Sequence, residues 1–297
     1  MKVRTAVIPA AGLGTRVLPM TKAVPKELLP LVDVPALQLV VQEAVGAGIE
    51  TVIVVNHPSK TPVEQYFTPN PELLATLERS GKDDLAAKLS AVDAYDVRFV
   101  HQPEALGLGH AVGMAAELVG DDAFAVLLPD EIMGSSAFLS AMIAAAERTA
   151  GSVVGLKQIP REEVSRYGVV APAGELDADG VLPVADLVEK PKVDEAPSEF
   201  IIIGRYVCSA SVMAEIGRLT PGAGGELQLT DALRAVCAYE PFHGLVGDLM
   251  PGGLDRYDTG NPLGWWEANL ELGLGHPVHG AAVRELVAAV ARREGLV

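Results

Sequence analysis

Cysteine is nearly absent from this 297-residue chain: Cys208 and Cys237 stand far apart in apolar surroundings, with no Cys-x-x-Cys. So little cysteine argues against a disulfide framework or a thiolate zinc site, and both thiols are expected in the core. Basic side chains are also few, 23 against 39 acids, for a formal net charge of −16 and a pI near 4.8. That balance argues against coating nucleic acid, which takes many clustered cations, and reads as a solubility device. No apolar run approaches the roughly twenty residues of a membrane helix, and no basic-then-apolar leader precedes the strand at Thr5. A cytoplasmic protein with no membrane partner is expected. His57, His101, His110, His243, His276 and His279 form no zinc-type grouping with acids, and His110 reads as structural. Trp265-Trp266 lacks the flanking basic residues of a stacking platform; it is expected to pack the C-terminal helix, with one ring available to a subunit contact. Internal repeats, low-complexity tracts and an interdomain linker are missing too.

What is present is an alternation. Short apolar runs at Thr5–Pro9, Thr51–Asn56, Val97–Gln102 and Ala123–Pro129 predict strands, and Leu37–Ala47, His110–Val119 and Phe138–Arg148 predict helices. The order is that of an α/β protein with a mainly parallel sheet covered on both sides. Residues 61–92 read as a charged helical surface excursion. From Ser152 to Tyr206 the text turns to strands separated by Pro/Gly turns, which should extend the sheet and add a smaller β layer. After Gly260 it is helical, and the stripe Val283, Leu286, Val287, Val290 either caps the domain or pairs with a second subunit. The expectation is one domain over 1–297, with halves at 1–150 and 151–260 and a helical segment at 261–297.

The segment from Val7 to Pro30 breaks from a strand into a glycine loop followed by Arg16, Lys22 and Lys26. The first thirty residues carry a local balance of +4 inside an acidic chain. Convergent backbone N–H groups beside mobile cations suit a polyphosphate. The stretch after Gly12 lacks the Gly-Lys-Ser/Thr ending of a P-loop, and Val17 stands where a dinucleotide fingerprint needs a small residue. Asp130, after the run AFAVLLP, is placed to project from the C-terminal end of a sheet, though by residue type alone it also suits a helix N-cap, as Asp258 suits a turn.

Gly12, Gly14, Thr15, Arg16, Pro19, Thr21, Lys26 and Pro30 together resemble the signature loop of the sugar-1-phosphate nucleotidyltransferases, and Thr-Lys-Ala-Val-Pro-Lys-Glu at 21–27 is most similar to the bacterial UTP–glucose-1-phosphate uridylyltransferases. The likeness recurs in order at Leu106–Ala111, Leu128–Asp130, Tyr167–Val170, Glu189–Pro191, Gly204–Val207, Gly225–Asp231 and Asp258–Asn261. It implies a Rossmann-like nucleotidyltransferase fold and transfer of a uridylyl group from UTP to glucose 1-phosphate, giving UDP-glucose and pyrophosphate, in a homodimer or homotetramer. In this reaction the attacking phosphate is already an anion, so cations and positioning carry the catalysis. Arg16 and Lys26 then hold the triphosphate and Lys190 the sugar phosphate. The resemblance further implies nucleotide contacts at Ala11, Gly12, Gly14, Thr15, Glu27, Gln102 and Gly107, and sugar contacts at Gly168, Glu189 and Gly204. It makes Asp130 and Asp258 ligands of Mg²⁺, an ion that commonly takes one or two carboxylates plus phosphates. Glu131 is expected to point away. By residue type alone Glu189-Lys190 also suits a surface strand end, and Gly168 and Gly204 suit turns. The rivals are a thymidylyltransferase or other sugar-nucleotide synthase, and a non-catalytic relative that binds UDP-glucose.

Overall fold

The computed structural model describes residues 1–222 and 225–296. Its first half alternates strand and helix: β1 (Val3–Pro9), the short pair β2 (Pro30–Leu31) and β3 (Val34–Pro35), α1 (Ala36–Gly46), β4 (Thr51–Asn56), α2 (Thr61–Phe67), α3 (Pro71–Arg79), α4 (Asp83–Asp93), β5 (Val97–His101), α5 (Leu108–Gly113), α6 (Ala116–Val119), β6 (Ala123–Leu127), β7 (Glu131–Met133) and α7 (Ala137–Thr149). The second half is richer in strands: β8 (Ser152–Gln158), β9 (Gly168–Pro172), β10 (Val181–Glu189), β11 (Phe200–Cys208), α8 (Ala210–Ile216), α9 (Leu229–Cys237), β12 (Phe242–Val246), β13 (Arg256–Asp258), α10 (Pro262–Gly275) and α11 (Gly280–Arg293).

Period-two side chains decide which face each residue covers. In β1, Ala6 and Ile8 join a core with Leu37 and Val40 of α1 and Leu139 and Met142 of α7. Val7 between them faces the opposite core, built with Val112 of α5, Val212 of α8 and Leu233 of α9. The sheet is therefore buried on both sides, which is why its strands read as continuous apolar runs. Nine strands lie in the order β5-β4-β1-β6-β11-β8-β12-β10-β9. The pairs from β5 through β6 are parallel, and β11 then enters antiparallel to both β6 and β8. Beyond it the second-half strands extend the same sheet, as expected. The layer around the far end arises by curling, because Val169 of β9 returns to pair with Ile201 of β11.

The departures from the expected elements have local causes. The helix foreseen over 110–119 is split into α5 and α6 around Met114 and Ala115. Gly113 ends α5, and a Cβ there would lie 2.9 Å from Ile216 of α8, so close packing keeps a weak helix former in place. The strand foreseen through Pro129 stops at Leu127, and a turn carries Asp130 before β7 begins. Cys208 is fully buried as expected, whereas Cys237, at the end of α9, is only half-buried. Asn261 accepts from the N–H of Gly264 at 2.9 Å and Pro262 opens the helix, so α10 starts with an ordinary cap. The 61–92 excursion forms α2 to α4; α3 buries no residue and α4 only Ala86, whereas α2 sends Val63 and Phe67 into the core.

Candidate active site

The glycine loop leaves β1 and is held from below by a residue the sequence did not flag. Lys60, which follows β4, sends its ammonium to the carbonyl of Ala10 at 2.7 Å, to the carbonyl of Gly12, and to both oxygens of Glu27 at 3.0 Å. Both ends of that pair are buried. Desolvation pushes the Glu27 carboxyl up and the Lys60 ammonium down, each against the pull of the other. Glu27, expected among the nucleotide contacts, instead turns its side chain inward and ties the loop to Lys60. Gly14 has φ +65°, and its carbonyl accepts from the Thr21 hydroxyl at 2.7 Å. Gly12 faces open space, and Ala11 is buried beneath it. This bend sends Thr15 and Arg16 into a short 3-10 turn with Arg16 largely exposed.

Asp130 is where the loop meets the sheet. Lys26 donates to its Oδ2 at 2.7 Å, and the Arg16 guanidinium lies 3.6 Å from the same oxygen. Burial pushes the Asp130 carboxyl up, but Lys26, its hydrogen bond and Arg16 outweigh that and hold it below the usual aspartate value. A small ribbon supplies the second acid: β13 pairs antiparallel with β7, setting Asp258 opposite Glu131. Thr259 then locks the junction, its N–H and hydroxyl donating to the Asp130 carbonyl at 2.8 and 3.0 Å. A Cβ on Gly260 would lie 3.0 Å from Asp130 Oδ2, 3.0 Å from Asp258 Oδ1 and 3.3 Å from the Arg16 guanidinium. The two carboxylates thus converge on one point that only a glycine leaves free. Glu131 does not point away as expected. It reaches the same cleft, where Arg256 grips both its oxygens at 2.7 Å. Burial raises its carboxyl to about 7 against the pull of Arg256, with Asp258 and Asp130 adding to the rise.

A cleft of about 350 Å³ brings these groups together with the sugar-side set. Arg16, Asp130, Glu131 and Asp258 line it together with Gly168, Glu189, Lys190 and Gly204. Glu189 ends β10, where its Oε2 accepts from the Thr230 hydroxyl at 2.7 Å and its Oε1 lies 3.2 Å from the Lys190 ammonium. Lys190 itself has φ +45°, a conformation non-glycine residues seldom adopt, and its N–H donates to the Tyr167 carbonyl at 3.1 Å. A Cβ on Gly168 would sit 3.2 Å from Glu189 Oε2, so the small residue leaves that carboxylate open. Gly204 differs. With φ +70°, a Cβ there would lie 2.8 Å from Glu131 and 3.0 Å from Leu128, so its smallness serves the protein's own packing. Arg166, Tyr167, Gln228 and Thr230 also line the cleft and were missed. Tyr167, Gln228 and Thr230 were signalled only by position inside recurring motif text, and Arg166 stands one residue before such a stretch.

Gln102 and Gly107 lie outside that cleft, at a neighbouring position beyond β5. The Gln102 amide nitrogen contacts His110 Nδ1 at 2.8 Å and the Gly107 carbonyl at 3.4 Å. Gly107, at φ +107°, lets the chain pass against Leu227, whose backbone would be 2.7 Å from any Cβ.

The mixed α/β sheet, with a glycine loop and two converging acids at its strand ends, has the nucleotidyltransferase fold. The chain belongs to the nucleotidyl transferase family, which matches residues 5–273. It is 42% identical over 99% of its length to the UTP–glucose-1-phosphate uridylyltransferase YngB of Bacillus subtilis, covering 97% of that protein, and 43% identical to a second B. subtilis protein of that activity, with 92% of each chain covered. Among solved structures it resembles a UDP-glucose pyrophosphorylase from Acinetobacter baumannii, with a TM-score of 0.88 at 38% identity over 97% of this chain and all of that one. A UTP-bound form from A. baumannii gives 0.87, with 97% and 99% covered. A UDP-glucose pyrophosphorylase complexed with UDP-glucose gives 0.78 at 33% identity, with 90% and 97% covered.

Proposed function

We propose that this chain transfers the uridylyl group of UTP to glucose 1-phosphate, forming UDP-glucose and pyrophosphate. The observation that carries the reading is a single cleft lined both by the converging Asp130 and Asp258 carboxylates and by the Glu189–Lys190 pair. The relatives' activity, and the UTP and UDP-glucose bound by the structural neighbours, support the choice of substrates. Arg16 and Lys26 meet the triphosphate and the departing pyrophosphate, while Lys190 meets the sugar phosphate and Glu189 accepts from sugar hydroxyls. Holding these anions in line offsets their mutual repulsion, and no group on the protein needs to remove a proton.

Asp130 and Asp258 fit Mg²⁺, because their oxygens face one point across the Gly260 backbone. Among the described residues no cluster of three or more His, Cys, Asp and Glu side chains is arranged for a metal, so phosphates and water would complete the shell. Once bound, Mg²⁺ supplies charge stabilisation at the α-phosphate. Lys26 would exchange its bond to Asp130 for a bond to phosphate as the nucleotide arrives.

The test is a matrix of nucleoside triphosphates and sugar 1-phosphates assayed for pyrophosphate release, together with the reverse reaction from UDP-glucose and pyrophosphate. UTP with glucose 1-phosphate should give the highest kcat/KM. A preference for dTTP would move the chain to the thymidylyl branch. Binding of UDP-glucose without turnover in either direction would make it a regulatory relative.

A further inference from the structure

The largest fully buried side chain lies directly beneath Asp130. Arg205, on β11, is completely inaccessible, as is nearly all of its ion-pair partner Glu43 on α1. Its five guanidinium N–H groups are all used. Nε donates to Glu43 Oε1 at 2.9 Å and Nη2 to Glu43 Oε2 at 2.7 Å. The remaining three reach backbone carbonyls: Leu128 at 3.1 Å, Gly204 at 3.0 Å and Glu131 at 2.6 Å. Two of these acceptors bracket Asp130, Leu128 in the turn that follows β6 and Glu131 at the first residue of β7. The third belongs to Gly204, which sits at an irregularity in the β11–β8 register, and such irregularities re-aim a side chain.

A buried ion pair is expensive and is often replaceable by apolar residues without loss of stability. Its geometry here does something an apolar pair cannot, since it fixes the carbonyls on either side of the Asp130 carboxylate. The outer face of that turn is held by Thr259, so Asp130 is gripped from both sides. We propose that Arg205, oriented by Glu43, is a positioning residue that sets the direction of the Asp130 carboxylate toward the point it shares with Asp258. The proposal rests on the reading of Asp130 as a holder of the divalent cation. Lysine is no substitute, because three donors on one tetrahedral atom cannot span Leu128, Glu131 and Glu43 together.

The experiment uses Arg205→Lys, which keeps the charge for Glu43. Binding of Mn²⁺ in the presence of UTP is followed by electron paramagnetic resonance, beside kcat, KM for UTP and thermal melting. Displaced ligand supports typically cost about 10- to 100-fold in metal affinity or activity. Arg205→Lys should lose Mn²⁺ affinity and kcat on that scale in a folded protein, with KM for UTP changed less than about two-fold and part of kcat recovered at high Mg²⁺. A purely structural pair would lower the melting temperature and leave metal affinity at the wild-type value. Should Arg205→Lys not fold, Glu43→Gln, isosteric and still an acceptor, is read the same way with smaller shifts expected, and unchanged Mn²⁺ affinity there counts against the proposal. Asp130→Asn separates the two readings. Unchanged Mn²⁺ binding in Asp130→Asn removes the cation-holding role and this proposal with it, whereas loss there beside wild-type behaviour in Arg205→Lys overturns the positioning role alone.

Discussion

At the Lys60 ammonium, two carbonyls and a carboxylate of one loop meet a charge carried by another segment. Removing the charge alone leaves Glu27 buried without its counter-ion, a change that costs about 3–5 kcal/mol in comparable pairs. Lys60→Met should therefore show that loss in urea unfolding, and Lys60→Met/Glu27→Gln should recover a large part of it. An additive double variant would mean the pair does not couple. On the proposed function, the cations around the cleft divide by the anion each would meet. Lys190→Ala should raise KM for glucose 1-phosphate, and Lys26→Ala should impair UTP and pyrophosphate handling, by about ten-fold or more where a charge-assisted contact is lost. Steady-state kinetics with each substrate varied separates them, and matching profiles would refute the division. The thiols give a pH readout. Burial pushes Cys237 up to about 11, with Asp186 adding to it, and burial pushes Cys208 higher still. Both should stay protonated and resist iodoacetamide in the folded enzyme near pH 8, with Cys237 reacting only as the pH approaches its raised value and both reacting at once after unfolding.

Among elements, the β7–β13 ribbon and the β11 irregularity place the acids, and both depend on glycines with no room beside them. Gly204→Ala combines a strained φ with a Cβ 2.8 Å from Glu131. It should lower stability by about 1–3 kcal/mol and displace Glu131. A melting temperature equal to wild type would show that the turn adapts. The β9–β10 connection is held by a different device. Asp177 accepts from the N–H groups of Val181 and Asp179 and from Arg148, and these bonds, that of Val181 foremost, hold its carboxyl below the usual value against the opposing effect of burial. The sign follows from that depression. The stabilisation is present above the ordinary aspartate range and fades as the pH falls through the lowered value. The gap in melting temperature between wild type and Asp177→Asn should accordingly shrink on acidification, and a gap independent of pH would assign the effect to shape alone.

For the whole molecule, the open question is what covers the C-terminal helices. Leu263, Trp266, Leu270 and Leu286 are exposed along α10 and α11 and flank a groove of about 660 Å³. α10 carries Glu267 and Glu271, and α11 carries Arg284, Arg292 and Arg293 against the single acid Glu285, a balance of signs that suits a second copy across a two-fold axis. A homodimer or homotetramer is expected by light scattering, and Trp266→Glu/Leu286→Glu should shift it toward monomer. A monomeric wild type, or an assembly that ignores the substitutions, would place the contact elsewhere or abolish it.

Short-range physics was enough for much of this protein. Period-two and period-3.6 apolar spacing gave β1, β4, α1 and α7 to within a residue or two, because each is a local pattern that water reads the same way in any context. The glycine loop with Arg16 and Lys26, and Asp130 near a strand end, were legible for the same reason: residue type and spacing already dictate where charge and backbone donors gather. Contacts between distant segments were not. Lys60 lies 33 residues from Glu27, Arg205 lies 162 from Glu43, and Glu131 lies 125 from Arg256. Nothing in the spacing of either partner announces the other. The inward turn of Glu27, the capture of Glu131 and the meeting of Asp130 with Asp258 were decided only when the curled sheet and the β7–β13 ribbon closed. A charge taken out of water must find its counter-charge wherever the chain brings one, and that choice belongs to the tertiary structure.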